Sequence, residues 1–187
     1  MTTEKKLLRK GSLEKLFNKI KATEKTIYAP TNKGKHVVFS NVNSFEELTF
    51  DYIQTPQSIK SIVFPKVEPV LKYKTEKEGI KIEDIDLNTI PEVVLLGVHP
   101  CDVAGFAVLK TVFTWDYVDK FFLERLKKTT IIGLSCKNAD DDCFCTSVGL
   151  NPGERNGNDI LLTTLKSGDF LVEIITEKGN AIVSMAS

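Results

Sequence analysis

The sequence predicts an α/β fold: a central mixed sheet with one strand–helix–strand unit and a C-terminal β-hairpin, in a single compact domain, with α+β as the alternative. Three observations carry this expectation. VVLLGV (93–98) and TTIIGL (129–134) are continuous apolar runs of strand length, the pattern of strands buried on both faces. Helical periodicity fills the interval between them, so the two strands should be parallel neighbours joined by a right-handed crossover. Near the end, ILLTTL and FLVEIIT flank the turn Lys166-Ser167-Gly168-Asp169, which is a hairpin signal.

Taken in order, residues 12–22 read as a short amphipathic helix in which Ser12 caps and Leu13, Leu16, Phe17 and Ile20 recur at helical spacing. This segment, 1–25, is separated from the main body, 26–187. IYAP and HVVFS read as strands around the polar turn TNKGK, and SFEEL as one or two helical turns. SIVF runs into Pro65-Lys66-Val67-Glu68-Pro69, where two prolines suit an edge strand or an extended connector. The stretch from Tyr73 to Thr89 is charged and weakly periodic, a surface excursion. After VVLLGV comes His99-Pro100-Cys101-Asp102 and the apolar helix VAGFAVLKTVF, with Asp102 placed to cap it. A second helix, roughly 116–128, carries Val118, Phe121, Phe122 and Leu126 on one face and closes on Lys127-Lys128.

Composition excludes several function classes. Lysine plus arginine equals aspartate plus glutamate, 25 each, so no net field favours nucleic acid or an anionic membrane. The lysine-rich N-terminus has no continuous apolar stretch and reads as neither a secretory signal nor a membrane span, so a cytoplasmic location is expected. There is no Gly-rich dinucleotide fingerprint, no P-loop and no zinc-protease helix. Two histidines in total leave little room for a histidine-based catalytic site.

The four cysteines carry the chemistry. In a reducing compartment they are more often ligands than disulfide partners. Cys101 and Cys136 each stand just beyond a predicted parallel strand, so both belong at the same sheet edge, where ligands bind in open α/β sheets. Cys143 and Cys145 follow on the acidic loop KNADDD, which is expected to fold back over that edge. Four thiolates are the usual complement of a [4Fe-4S] cluster or of a structural zinc ion. The Cys143-Phe144-Cys145 spacing separates the two. Extended residues i and i+2 lie about 6.6–6.8 Å apart, awkward for one ion but easy for a cube of iron and sulfide. Zinc in an interaction module is one rival, and a thiol-redox protein using Cys143 and Cys145 is another. His99 and Asp102 are candidate neighbours of the metal, and Asp142, with Asp140 and Asp141, would lower the reduction potential of a cluster.

The strings GVHPCDVAGFAVL and IIGLSCKNADDDCFCTSVGL, with KSIVFPKVEPVLKY upstream and NDILLTTLKSGDFLVEIITEKG downstream, resemble the beta subunit of cytosolic sulfhydrogenases (hydrogenase/sulfur reductase) and the A subunit of anaerobic sulfite reductase. The resemblance covers roughly residues 27–180. It implies an iron–sulfur domain that passes electrons between a flavin-containing partner and a reductase or hydrogenase subunit. By position, Cys101, Cys136, Cys143 and Cys145 match the family's cysteines of this domain. Family members continue into a ferredoxin-like module with two Cys-x-x-Cys-x-x-Cys runs, and this sequence carries none. The implied role is therefore one part of an electron-transfer chain, non-catalytic in itself. Phe144 is the expected centre of a partner surface, beside the loop 146–152.

Overall fold

A computed structural model describes residues 4–185. Residues 1–3 of the predicted N-terminal segment and the last two residues lie outside it.

Two strands buried on both faces set the architecture. β6 (Val93–Val98) and β7 (Thr129–Leu134) pair in parallel at the middle of a seven-stranded mixed sheet. β7 is flanked by β8 (Ile160–Thr164), also parallel, and β6 by β2 (Thr26–Lys33), parallel again. Antiparallel strands finish both sides. β3 (His36–Asn41) pairs with β2, while β9 (Phe170–Ile174) and then β1 (Glu4–Leu8) extend the sheet beyond β8. The spatial order is β1-β9-β8-β7-β6-β2-β3.

Alternating side chains divide each central strand between two apolar layers. Val94, Leu96, Ile132, Leu134, Ile160 and Leu162 face a core closed by α1 (Lys10–Lys21), through Leu13, Leu16, Phe17 and Ile20, and by Ile182 of α5 (Glu177–Ser184). Leu95, Val98 and Ile131 face the opposite core, closed by α2 (Lys60–Val63), α3 (Pro100–Trp115) and α4 (Lys120–Lys128). The register shifts between Leu96 and Val98, where Gly97 takes a φ of 81°. A bulge there suits glycine, which alone reaches positive φ without strain.

Several sequence expectations are corrected. α1 starts at Lys10, so Ser12 is not its cap. The carbonyl of Arg9 accepts from the backbone N–H of Ser12 and Leu13 instead. SIVF is largely a short helix, α2, and not an edge strand. Its Val63 is fully buried, and tertiary burial overrides the strand propensity of a four-residue run. α3 begins at Pro100, a favoured first helical residue, with His99 in the cap position. Asp102 sits inside that first turn, where its charge still complements the helix dipole. α4 starts only at Lys120, because Asp119 caps it by accepting from the Phe122 N–H at 2.9 Å.

β1 and α5 escaped the pattern reading. EKKLL is an edge strand rich in lysine, which blunts edges and hides the period. α5 is short and contains Gly179, whose missing side chain lets the helix approach the Asp159 carbonyl. The excursion after Pro69 is a separate hairpin, β4 (Lys72–Glu76) with β5 (Gly79–Glu83), exposed along nearly its whole length.

Candidate metal centre

Because β6 and β7 are parallel neighbours, both finish at one edge of the sheet, and the chain beyond them delivers Cys101 and Cys136 there together. Cys101 lies in the first turn of α3. Cys136 stands two residues past β7. The preceding Ser135 N–H donates to Leu162 O at 2.8 Å, and the Cys136 N–H donates to Pro152 O at 2.9 Å.

The acidic loop is folded on itself to present the other two. The Cys143 N–H donates to Asp140 O at 3.2 Å, and the Asp140 N–H points back at Cys143 Sγ, 3.5 Å away. Amide donation to sulfur is one of the means by which a protein tunes a metal-bound thiolate. Cys145 opens a turn of 3₁₀-helix, Cys145–Val148, which ends at Gly149 in the left-handed conformation (φ 77°). The Leu150 N–H donates to Cys145 O at 3.0 Å. All four thiols are free.

Electrostatics ties the four together. Burial pushes the Cys136 thiol up to about 12, and the neighbouring Cys101, Cys145, Cys143 and Asp102 each push the same way. Cys101 is exposed as a residue, yet its thiol is also raised, first by desolvation, then by Asp102, with Cys145 adding to it. Cys136 thus stands within electrostatic reach of Cys101 and of the loop that carries Cys143 and Cys145. Among the described residues, no group of three or more His, Cys, Asp or Glu side chains is arranged to hold a single metal ion. A groove of about 460 Å³ opens beside the cysteines, lined by Tyr52, His99, Ser135 and Lys137 among others. None of the four cysteines lines it.

His99 is buried and plays an anchoring part. Its ring stacks on Tyr52 at 4.1 Å and 4°, its Nδ1 lies 3.1 Å from Ile53 O, and burial lowers its pKa. Asp102 is held above the usual carboxylate range by burial, with Lys60 opposing. Lys60 lies across Gly105, where a side chain would meet it. Asp142 is exposed and donates its backbone N–H to Asp140 Oδ1 at 3.1 Å, a turn contact. Phe144, flanked by two of the cysteines, is 68% exposed.

Sequence reasoning missed Tyr52 and Gln54. Tyr52 donates its hydroxyl to Gly97 O at 2.6 Å, and its pKa is driven up by burial, then by Asp102, Cys136 and Cys101. Gln54 Nε2 donates to Asp140 Oδ1 at 2.9 Å, tying the segment after β3 to the cysteine loop. Neither residue has a local signal, since each acts across more than 40 positions of chain.

Over 167 residues, 89% of its length, the chain is 32% identical to sulfhydrogenase 2 subunit beta of Pyrococcus furiosus. The chain is sulfhydrogenase beta-subunit-like. It spans about half the length of that relative, 47% of it. No family model matches the chain. Among the described residues of this beta-subunit-like chain, no helix is long and apolar enough to cross a membrane.

Proposed function

We propose that the chain binds one [4Fe-4S] cluster through Cys101, Cys136, Cys143 and Cys145 and relays electrons within a multi-subunit redox enzyme of the hydrogenase/sulfur reductase or sulfite reductase type. The observation that carries this reading is the delivery of Cys101 and Cys136 to the carboxyl edge of parallel strands, with the loop of Cys143 and Cys145 running into the segment that bonds the Cys136 amide. Cys101, Cys145 and Cys143 all act on the Cys136 thiol in the same direction as its burial. The Cys143-Phe144-Cys145 spacing suits a group that spreads its four ligands better than a single zinc ion. When bound, such a cluster supplies one-electron redox chemistry without bond rearrangement in the protein.

The chain's own residues set the conditions. The Asp140 amide is aimed at Cys143 Sγ, and Asp140 itself accepts from Gln54 and from the Asp142 amide, which fixes the loop. Negative charge on the loop favours the oxidised form of a bound cluster. Phe144 and Val148, both largely exposed beside the centre, fit a surface for another redox subunit. The relative's name, a beta subunit of a sulfhydrogenase, supports a partner of that class. An anaerobic setting belongs to the same proposal, as does a cytoplasmic one, where thiols stay reduced.

Anaerobic reconstitution with iron and sulfide tests the assignment. The expected product is brown, with about four irons and four sulfides per chain, as Cys₄ ligation requires. Stoichiometric zinc with no sulfide would overturn it in favour of a zinc-stabilised module.

A further inference from the structure

Asn158 is almost fully buried, 1% exposed, and its Oδ1 is a buried side-chain oxygen with no hydrogen-bond partner. An unpaired buried carbonyl is costly and calls for an explanation. The orientation of the amide is settled by its other end, where Nδ2 donates to Glu154 O at 3.0 Å and to Arg155 O at 3.3 Å. Turning it over would set an oxygen against two carbonyls. Oδ1 therefore rests on Gly133 of β7, where any Cβ would collide with it.

The surroundings explain the arrangement. Gly133 lies three residues before Cys136. The loop that Asn158 closes is the one whose Pro152 carbonyl accepts from the Cys136 N–H, and whose start bonds Leu150 N–H to Cys145 O. One residue earlier, Gly157 has a φ of 84°, and a Cβ there would lie 2.9 Å from Val103 Cγ1, two residues past Cys101. The Asp159 N–H, next in the chain, donates to Ile131 O at 2.9 Å, and Asp159 Oδ2 accepts from the Ile131 N–H at 2.8 Å. The loop is thus seated on β7 and against α3, between the elements that present the four cysteines.

We propose that Asn158, locked over Gly133, is a positioning residue that sets the cysteine loop against Cys136 and Cys101. This rests on the cluster reading above, and two readouts separate the two ideas. In reconstituted full-length chain, Asn158→Ala should weaken iron retention against a chelator roughly tenfold, the usual effect of losing an outer support of a metal ligand. It should also alter the electron paramagnetic resonance line shape of the reduced centre. Gly133→Ala, which displaces the Asn158 amide, should do the same, and combining the two should add nothing further, as expected for groups acting as one unit. In metal-free chain, Asn158→Ala should speed alkylation of Cys136 by iodoacetamide while leaving the far-ultraviolet dichroism intact. If Asn158→Ala unfolds the chain, Asn158→Ser carries the same measurements. Unchanged retention, line shape and alkylation in a folded variant would overturn the positioning role. Failure of the unaltered chain to take up iron and sulfide would overturn the cluster reading alone, with the alkylation result still deciding this one.

Discussion

Replacing Cys136 with serine should make the metal-free chain less sensitive to alkali. The folded Cys136 thiol titrates at about 12, against an ordinary value of 9.0. The folded chain therefore keeps this proton at a pH where the unfolded chain gives it up. Stability from this source is complete below about pH 9 and is lost as pH rises toward 12, because the unfolded state then binds fewer protons. Each pH unit in that window is worth up to about 1.4 kcal/mol, so about 2 kcal/mol would be gone by pH 10.5. Cys136 is only part-buried, and solvent screening reduces this to about 1 kcal/mol. With a urea dependence of about 2 kcal/mol per molar, the midpoint should fall by about 0.5 M more in the unaltered chain than in Cys136→Ser. Urea melts followed by circular dichroism at pH 8 and pH 10.5, with reductant and chelator present, give the comparison directly. Cys101 and Tyr52 are raised as well and destabilise the folded chain in the same direction; both are present in each chain, and the part of the Tyr52 shift that Cys136 causes adds to the difference in the same sense. Parallel losses in the two chains would refute the raised Cys136 thiol, and with it the burial that is its main cause.

Two further outcomes test the fold and the partner surface. Phe122→Ala should cost about 3–5 kcal/mol, because Phe122 is 1% exposed and packs 4.7 Å from the Phe113 ring; a thermal melt lowered by roughly 10 °C checks this, and a shift of a degree or two would mean the site collapses around the gap. Phe144→Glu should leave iron content unchanged while weakening co-purification with a redox partner subunit, since a largely exposed ring contributes little to the fold; loss of iron instead would make Phe144 part of the centre.

The central strands were legible because burial on both faces leaves an unbroken apolar run that no surface element imitates. With them came the placement of Cys101 and Cys136 at one edge, which follows from parallel pairing alone. The C-terminal hairpin was legible for a similar reason, its turn chemistry standing between two apolar runs. Helix starts were less secure. Ser12 and Asp102 are good capping residues by type, but the caps fall on Arg9 and His99, because packing of Leu13 and Phe17 and the preference of proline for a first turn decided the matter.

What the sequence by itself determined is the chemistry available: four thiols, two of them bound to strand ends, and an acidic loop between. Only the tertiary structure decided how those groups meet. Tyr52 stacks on His99 from 47 residues away, Lys60 lies in the gap left by Gly105, and Asn158 gives up a hydrogen bond to lie on Gly133. These contacts join segments whose separation along the chain carries no local pattern. They form because close packing of the sheet edge leaves particular spaces, and a space, unlike a period, is not written in any one stretch of sequence.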